Sequence, residues 1–178
     1  SFRFQHPNYL ILHQNYGKDS VEYTKQFAGK MVECLVEKLS NLGYHLLIEG
    51  TLRTVEVPRK TSEILQNKGY KVQLALIATK PELSYLSTVI RYEELSAINP
   101  EQARATPKEY HDRIVENLVK NTQLLEQIGL FERIQIYQRD RNCIFDSKEG
   151  RVSAATVLQE VLFGKWNQVE KAMLKVGQ

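Results

Sequence analysis

Between Leu46 and Thr54 the chain reads LLIEGTLRT, so three apolar residues run directly into a carboxylate, a glycine, two hydroxyls and a guanidinium. A carboxylate delivered by a buried strand and followed by Gly-Thr suits ligand binding, because Gly50 lets a backbone or a ligand approach closely. The same Glu49 also suits a plainer role, capping the next turn. Two further cations are spaced for joint work: Arg91 near the end of one helical pattern, and Arg104 in the segment ARATPK before the next. Together they would close over a polyphosphate, since the planar arginine fork holds phosphate oxygens two at a time. Read by pattern alone, a pair of solvated surface arginines is the better fit. Glu33 lies opposite the apolar face of its helix, where a solvated glutamate is expected.

The elements that must position these groups alternate between two periods. Over Val21 to Leu42, apolar residues at Phe27, Met31, Val32, Leu35, Val36 and Leu39 follow the helical repeat, and Gly43 supplies a stop. Leu46 to Ile48 is apolar on both faces and too short for a helix, which predicts a central parallel strand. A helical pattern from Pro58 to Lys68 ends at Gly69, Lys71 to Thr79 is a second strand, and Pro81 opens the next helix. Thr106, Pro107 and Glu109 make a capping box for a helix that stops at Gly129. FERIQIYQRD and NCIFD read as strands that pair, and the pattern from Val152 to Val176 is helical with a break near Gly164. Strands alternating with helices predict an α/β fold with a mostly parallel sheet, and ligands then sit beyond the carboxyl ends of the strands.

Composition limits the options further. A chain of 178 residues, 42% hydrophobic and 25% charged, fits one globular domain spanning residues 1–178. Its net charge of +3 arises from 24 basic and 21 acidic residues mixed along the chain, too mild to indicate nucleic acid. No run of 18 apolar residues and no secretory pattern occurs, so no membrane is expected and a cytoplasmic protein is the default. Cys34 and Cys143 lack metal spacing and are expected in the core; of the four histidines, His6 alone lies in a segment with functional character. A phosphate loop GxxxxGK[ST] is absent: Gly17-Lys18 has Leu12 and Asp19 at the key positions, and Gly164-Lys165 fails in the same way.

Five segments in order, SFRFQHPNYL, KMVEC, LLIEGTLRT, VIRYEE and ARATPKEYHD, resemble the zeta toxins of bacterial toxin–antitoxin systems, in particular the chromosomal PezT type. The resemblance runs from Ser1 to about Asp146. It implies a P-loop-kinase-like fold that uses ATP and Mg2+ to phosphorylate UDP-N-acetylglucosamine on the sugar 3'-hydroxyl, blocking peptidoglycan precursor synthesis, with an epsilon-type antitoxin as partner. It further implies that Glu33, Glu49, Thr51, Arg53 and Thr61 line the sugar-nucleotide pocket, which reverses the helical-wheel reading of Glu33. Arg91 and Arg104 would hold the ATP phosphates and the charge of the transferring group, and no metal ligand falls within this chain. In the family, the first strand, the phosphate loop, the first helix, the second strand and a general-base aspartate precede the position of Ser1. The chain by itself is therefore expected not to turn over. Two alternatives remain in view: a non-catalytic remnant that binds antitoxin or sugar nucleotide, and a P-loop small-molecule kinase with another acceptor.

Overall fold

The computed structural model describes residues 2–100, 103–150 and 152–176. The chain divides into two compact units, residues 1–48 with 89–105, and residues 49–88 with 106–178.

The first unit is helical. Helix α1, Tyr9–Tyr16, is joined by a short 3-10 turn to the long α2, Ser20–Asn41. The expected apolar stripe of α2 is present, with Phe27, Met31, Leu35 and Leu39 half-buried, yet its fully buried residues are Ser20, Thr24 and Ser40. Polar burial is satisfied locally: Thr24 Oγ1 donates to the Ser20 carbonyl at 3.0 Å, and Arg3 donates to Thr24 Oγ1 at 3.2 Å. Helix α2 stops where the sequence predicts. Gly43 sits at φ 77, and Tyr44 N–H bonds the Leu39 carbonyl, the paired arrangement in which a left-handed residue satisfies the last carbonyls.

The second unit carries the sheet. Helix α3, Glu56–Asn67, tolerates Pro58 in its first turn and ends by the same left-handed device at Gly69, φ 84. Strand β1, Gln73–Ile77, leads into α4, Pro81–Ile98, whose first turns belong here and whose residues from Val89 onward belong to the first unit. Then follow α5, Lys108–Ile128, the strands β2, Arg133–Tyr137, and β3, Cys143–Asp146, and the helices α6, Ala154–Phe163, and α7, Gln168–Val176. The break near Gly164 thus separates α6 from α7, as expected. Strand β2 is central, parallel to β1 with Leu76 beside Ile136, and antiparallel to β3 with Ile136 beside Phe145. The result is an α/β unit with a small mixed sheet. Leu76, Ile134, Ile136 and Phe145 face Ala154, Leu158 and Leu162 of α6, and Leu118 and Val119 of α5 pack on this cluster.

Four expectations need correction. Leu46–Ile48 is not a strand; it is irregular, with Leu47 91% exposed, because no described strand lies beside it to complete a ladder. The capping box at Thr106 does not form: Pro107 occupies the N-cap position at φ −58, ψ 137, one residue before the helix, and no side chain caps it. Neither cysteine is in the core, for Cys34 and Cys143 are both exposed. Cys34 lies off the apolar stripe of α2, and a bulge between Ile136 and Tyr137 turns Cys143 away from the core face.

The β2–β3 pair is reinforced by one ionic contact with a testable pH signature. Arg133 Nε donates to both Asp146 oxygens, at 3.0 and 2.9 Å, its Nη2 and Gln135 Nε2 donate to one of them, and the Lys148 backbone N–H adds a further bond at 3.1 Å. Arg133 first, and the Lys148 N–H second, hold the Asp146 carboxyl at about 2 instead of 3.8. A depressed folded value stabilises the protein above the unfolded value, and this contribution is lost as pH falls through about 2. Asp146→Asn is accordingly expected to lower the urea midpoint at pH 7, with the gap from the parent chain closing as pH falls from about 4 toward 2. A gap that stays constant with pH would show that the pair contributes nothing through its charge.

Candidate functional site

Unit by unit, the sequence-predicted residues fall into two groups. In the first unit Glu33 is exposed on α2 and Arg91 is exposed on α4. Arg104 is exposed before α5 and lines a recess with Arg3, Phe4, Tyr9 and His13. That recess measures about 10 Å³, room for one water at most, so it is not a ligand cavity. His6 serves the local fold: its ring meets Phe27 edge-on at 5.0 Å, and Nδ1 accepts from the Asn8 N–H at 3.1 Å.

In the second unit Glu49, Thr51 and Arg53 share one irregular, exposed segment, while Thr61 is half-buried on α3. The segment has no regular structure of its own, yet its backbone is held. Leu52 is half-buried and packs against the sheet cluster, and its φ of 51 lies in the left-handed region, which a leucine rarely adopts. The two carbonyls at this bend, those of Leu52 and Arg53, accept from Asn121 Nδ2 at 2.9 and 3.0 Å. The Arg53 side chain runs to Tyr110, donating to its hydroxyl at 2.8 Å with the guanidinium 5.8 Å from the ring centroid. Tyr110 and Asn121 are eleven residues apart on α5, three helical turns, so one face of that helix meets both ends of Arg53.

Neither Tyr110 nor Asn121 is evident from motif reading. The available signal is Asn121 itself, a polar residue between the apolar positions Leu118 and Leu125 of α5, which demands a partner once buried. Lys80 and Glu126 of this unit serve structure. Lys80, 1% exposed, donates to the Gly164 carbonyl at 2.8 Å, and Glu126 accepts from the Ala154 N–H at the start of α6. His111 packs on Tyr85 with Nδ1 3.3 Å from Asp112.

A recess of about 310 Å³ also opens in this unit, but Glu82, Asp112, Glu116 and Trp166 line it. Three carboxylates repel phosphate, so this recess is unsuited to a nucleotide. Among the described residues no group of three or more His, Cys, Asp or Glu is placed to hold a metal ion, and no helix is long and apolar enough to cross a membrane.

The chemistry offered is therefore a pinned loop that presents a carboxylate, a hydroxyl and a guanidinium, together with exposed arginines at Arg91 and Arg104. The zeta toxin family model matches residues 1–150. Toxin PezT of Streptococcus pneumoniae serotype 4 (strain ATCC BAA-334 / TIGR4) is 74% identical over 178 residues, covering 100% of this chain and 70% of that protein. Toxin zeta of Streptococcus pyogenes is 42% identical over 149 residues, covering 84% of this chain and 52% of that protein. A solved chain from the PezAT chromosomal toxin–antitoxin system of Streptococcus pneumoniae superposes with a TM-score of 0.90 at 72% identity, over 99% of this chain and 70% of that one. A family match spanning 150 residues, with the LLIEGTLRT segment inside it, places this chain in the zeta toxin family.

Proposed function

We propose that this chain forms the acceptor-binding part of a zeta-type toxin kinase, which transfers phosphate from ATP to the sugar 3'-hydroxyl of UDP-N-acetylglucosamine. The observation that carries the reading is the loop Glu49 to Arg53, where acceptor, hydroxyl and cation are exposed on a backbone held by α5. Glu49 and Thr51 supply hydrogen-bonding groups suited to sugar hydroxyls and an acetamide, and Arg53 supplies charge for the diphosphate. Thr61, on α3 of the same unit, would add to the sugar-nucleotide contacts.

Phosphoryl transfer asks a protein chiefly for in-line placement and for positive charge around the equatorial oxygens. Arg91 and Arg104 are the cations this chain would contribute, holding the ATP phosphates and opposing the charge that develops in transfer. Magnesium, if bound, would neutralise charge on the phosphates; among the described residues no carboxylate cage is placed to hold it. A small epsilon-type antitoxin is the expected protein partner, since the superposing chain comes from a toxin–antitoxin system.

Calorimetric titration with UDP-N-acetylglucosamine tests the reading, once circular dichroism shows the chain folded. Binding heat is expected from the parent chain, and Glu49→Ala should weaken affinity about tenfold or more, the effect of losing a charge-assisted hydrogen bond of about 1.5 kcal/mol. A folded parent chain that gives no heat would sink the proposal.

A further inference from the structure

We propose that Asn121 is a positioning residue for the acceptor loop, holding Leu52 in its left-handed bend so that Glu49, Thr51 and Arg53 are arranged before any ligand arrives. The inference rests on the acceptor-site reading for its ligand, but its structural half stands on contacts within one unit. Both partners of the Asn121 side chain are backbone carbonyls, which only accept, so the amide nitrogen must face them and no flipped arrangement serves. The amide nitrogen is thereby committed to two successive carbonyls, that of the strained residue and that of the residue after it.

Leu52 does not reach φ 51 by intrinsic preference. Such a conformation persists only where the surroundings over-determine it, and here two constraints do so: the Leu52 side chain seated on the sheet cluster and the Asn121 amide on its carbonyl. The bend sends Leu52 inward and leaves its neighbours Thr51 and Arg53 exposed, so the half-buried residue acts as the anchor for the two that bind. Tyr110 then takes the far end of Arg53. A loop fixed in this way binds without first paying for its own ordering, and loosening it lowers apparent affinity in proportion to the fraction of time the loop is competent.

Asn121→Asp is nearly isosteric but cannot donate, turning two hydrogen bonds into two oxygen–oxygen repulsions; Asn121→Ala removes them without repulsion. In either variant, provided its urea midpoint shows it folded, backbone amide order parameters of residues 50–54 should fall from the rigid range, about 0.85, toward about 0.6, while those of α5 stay as in the parent. Affinity for UDP-N-acetylglucosamine should fall about tenfold. Asn117→Ala, which removes only a bond from Asn117 to the Arg113 carbonyl within α5, should change neither.

Unchanged order parameters of residues 50–54 in a folded variant would overturn the proposal, as would a loosened loop that binds with parental affinity. A loosened loop in a family of variants whose parent does not bind the sugar nucleotide would support the structural half and count against the ligand instead. Should both variants unfold, the parent chain decides: in nuclear magnetic resonance spectra, the Asn121 side-chain amide protons should exchange about tenfold more slowly than those of the exposed Asn41. Equal exchange would refute the anchoring role.

Discussion

Ile136→Ala is expected to lower stability by about 2–5 kcal/mol, measured as a shift of the urea midpoint at unchanged slope. Ile136 is 0% exposed on the central strand, beside Leu76 on one neighbour and Phe145 on the other, with α6 packed on the same cluster. Truncation removes three carbons that cannot be replaced by relaxation, because both flanking strands are fixed by their ladders, and the cost is transfer energy plus the cavity left behind. A domain holds only about 5–15 kcal/mol in total, so the variant would sit near the edge of folding. A loss below about 1 kcal/mol would show that the sheet is not the stabilising centre of this unit.

The second large effect falls at the end of α6. Gly164 N–H donates to the Glu160 carbonyl at 2.8 Å, and its own carbonyl receives the buried Lys80 amine at the same distance. A Cβ built on Gly164 would lie 2.3 Å from that Glu160 oxygen, a backbone atom that cannot swing aside. Gly164→Ala must therefore open the helix end, at about 1–3 kcal/mol, and displace the carbonyl on which Lys80 depends. If the two effects are one, Gly164→Ala and Lys80→Met should be non-additive in a double-mutant cycle, with a coupling above about 0.5 kcal/mol. Strict additivity would separate the clash from the lysine. This anchor matters because it joins the carboxyl end of β1, where α4 begins, to α6.

Much of this protein was determined locally. The helical period of α2 and α5, the glycines at 43, 69 and 129 that end helices, and the apolar runs of β1 and β2 follow from side-chain volume and backbone freedom within a few residues. The order of the five segments was enough to place the chain in its family, since spacing along a chain is a property of sequence alone. Glu49, Thr51 and Arg53 were legible as a group for the same reason: they are contiguous.

What tertiary structure decided depends on partners far away in the chain. Leu46–Ile48 has the composition of a strand, but a strand exists only by hydrogen bonds to a neighbour, and no described residues provide one. Cys143 was turned outward by a bulge, a mismatch between two strands that neither shows on its own. Most of all, the shape of the Glu49–Arg53 loop is set by Asn121, 68 and 69 residues beyond the carbonyls it holds. Sequence supplied the groups exposed on this loop. Only folding could supply the amide that fixes where they point, because a buried polar side chain takes whatever complementary partner the packing of α5 brings to it.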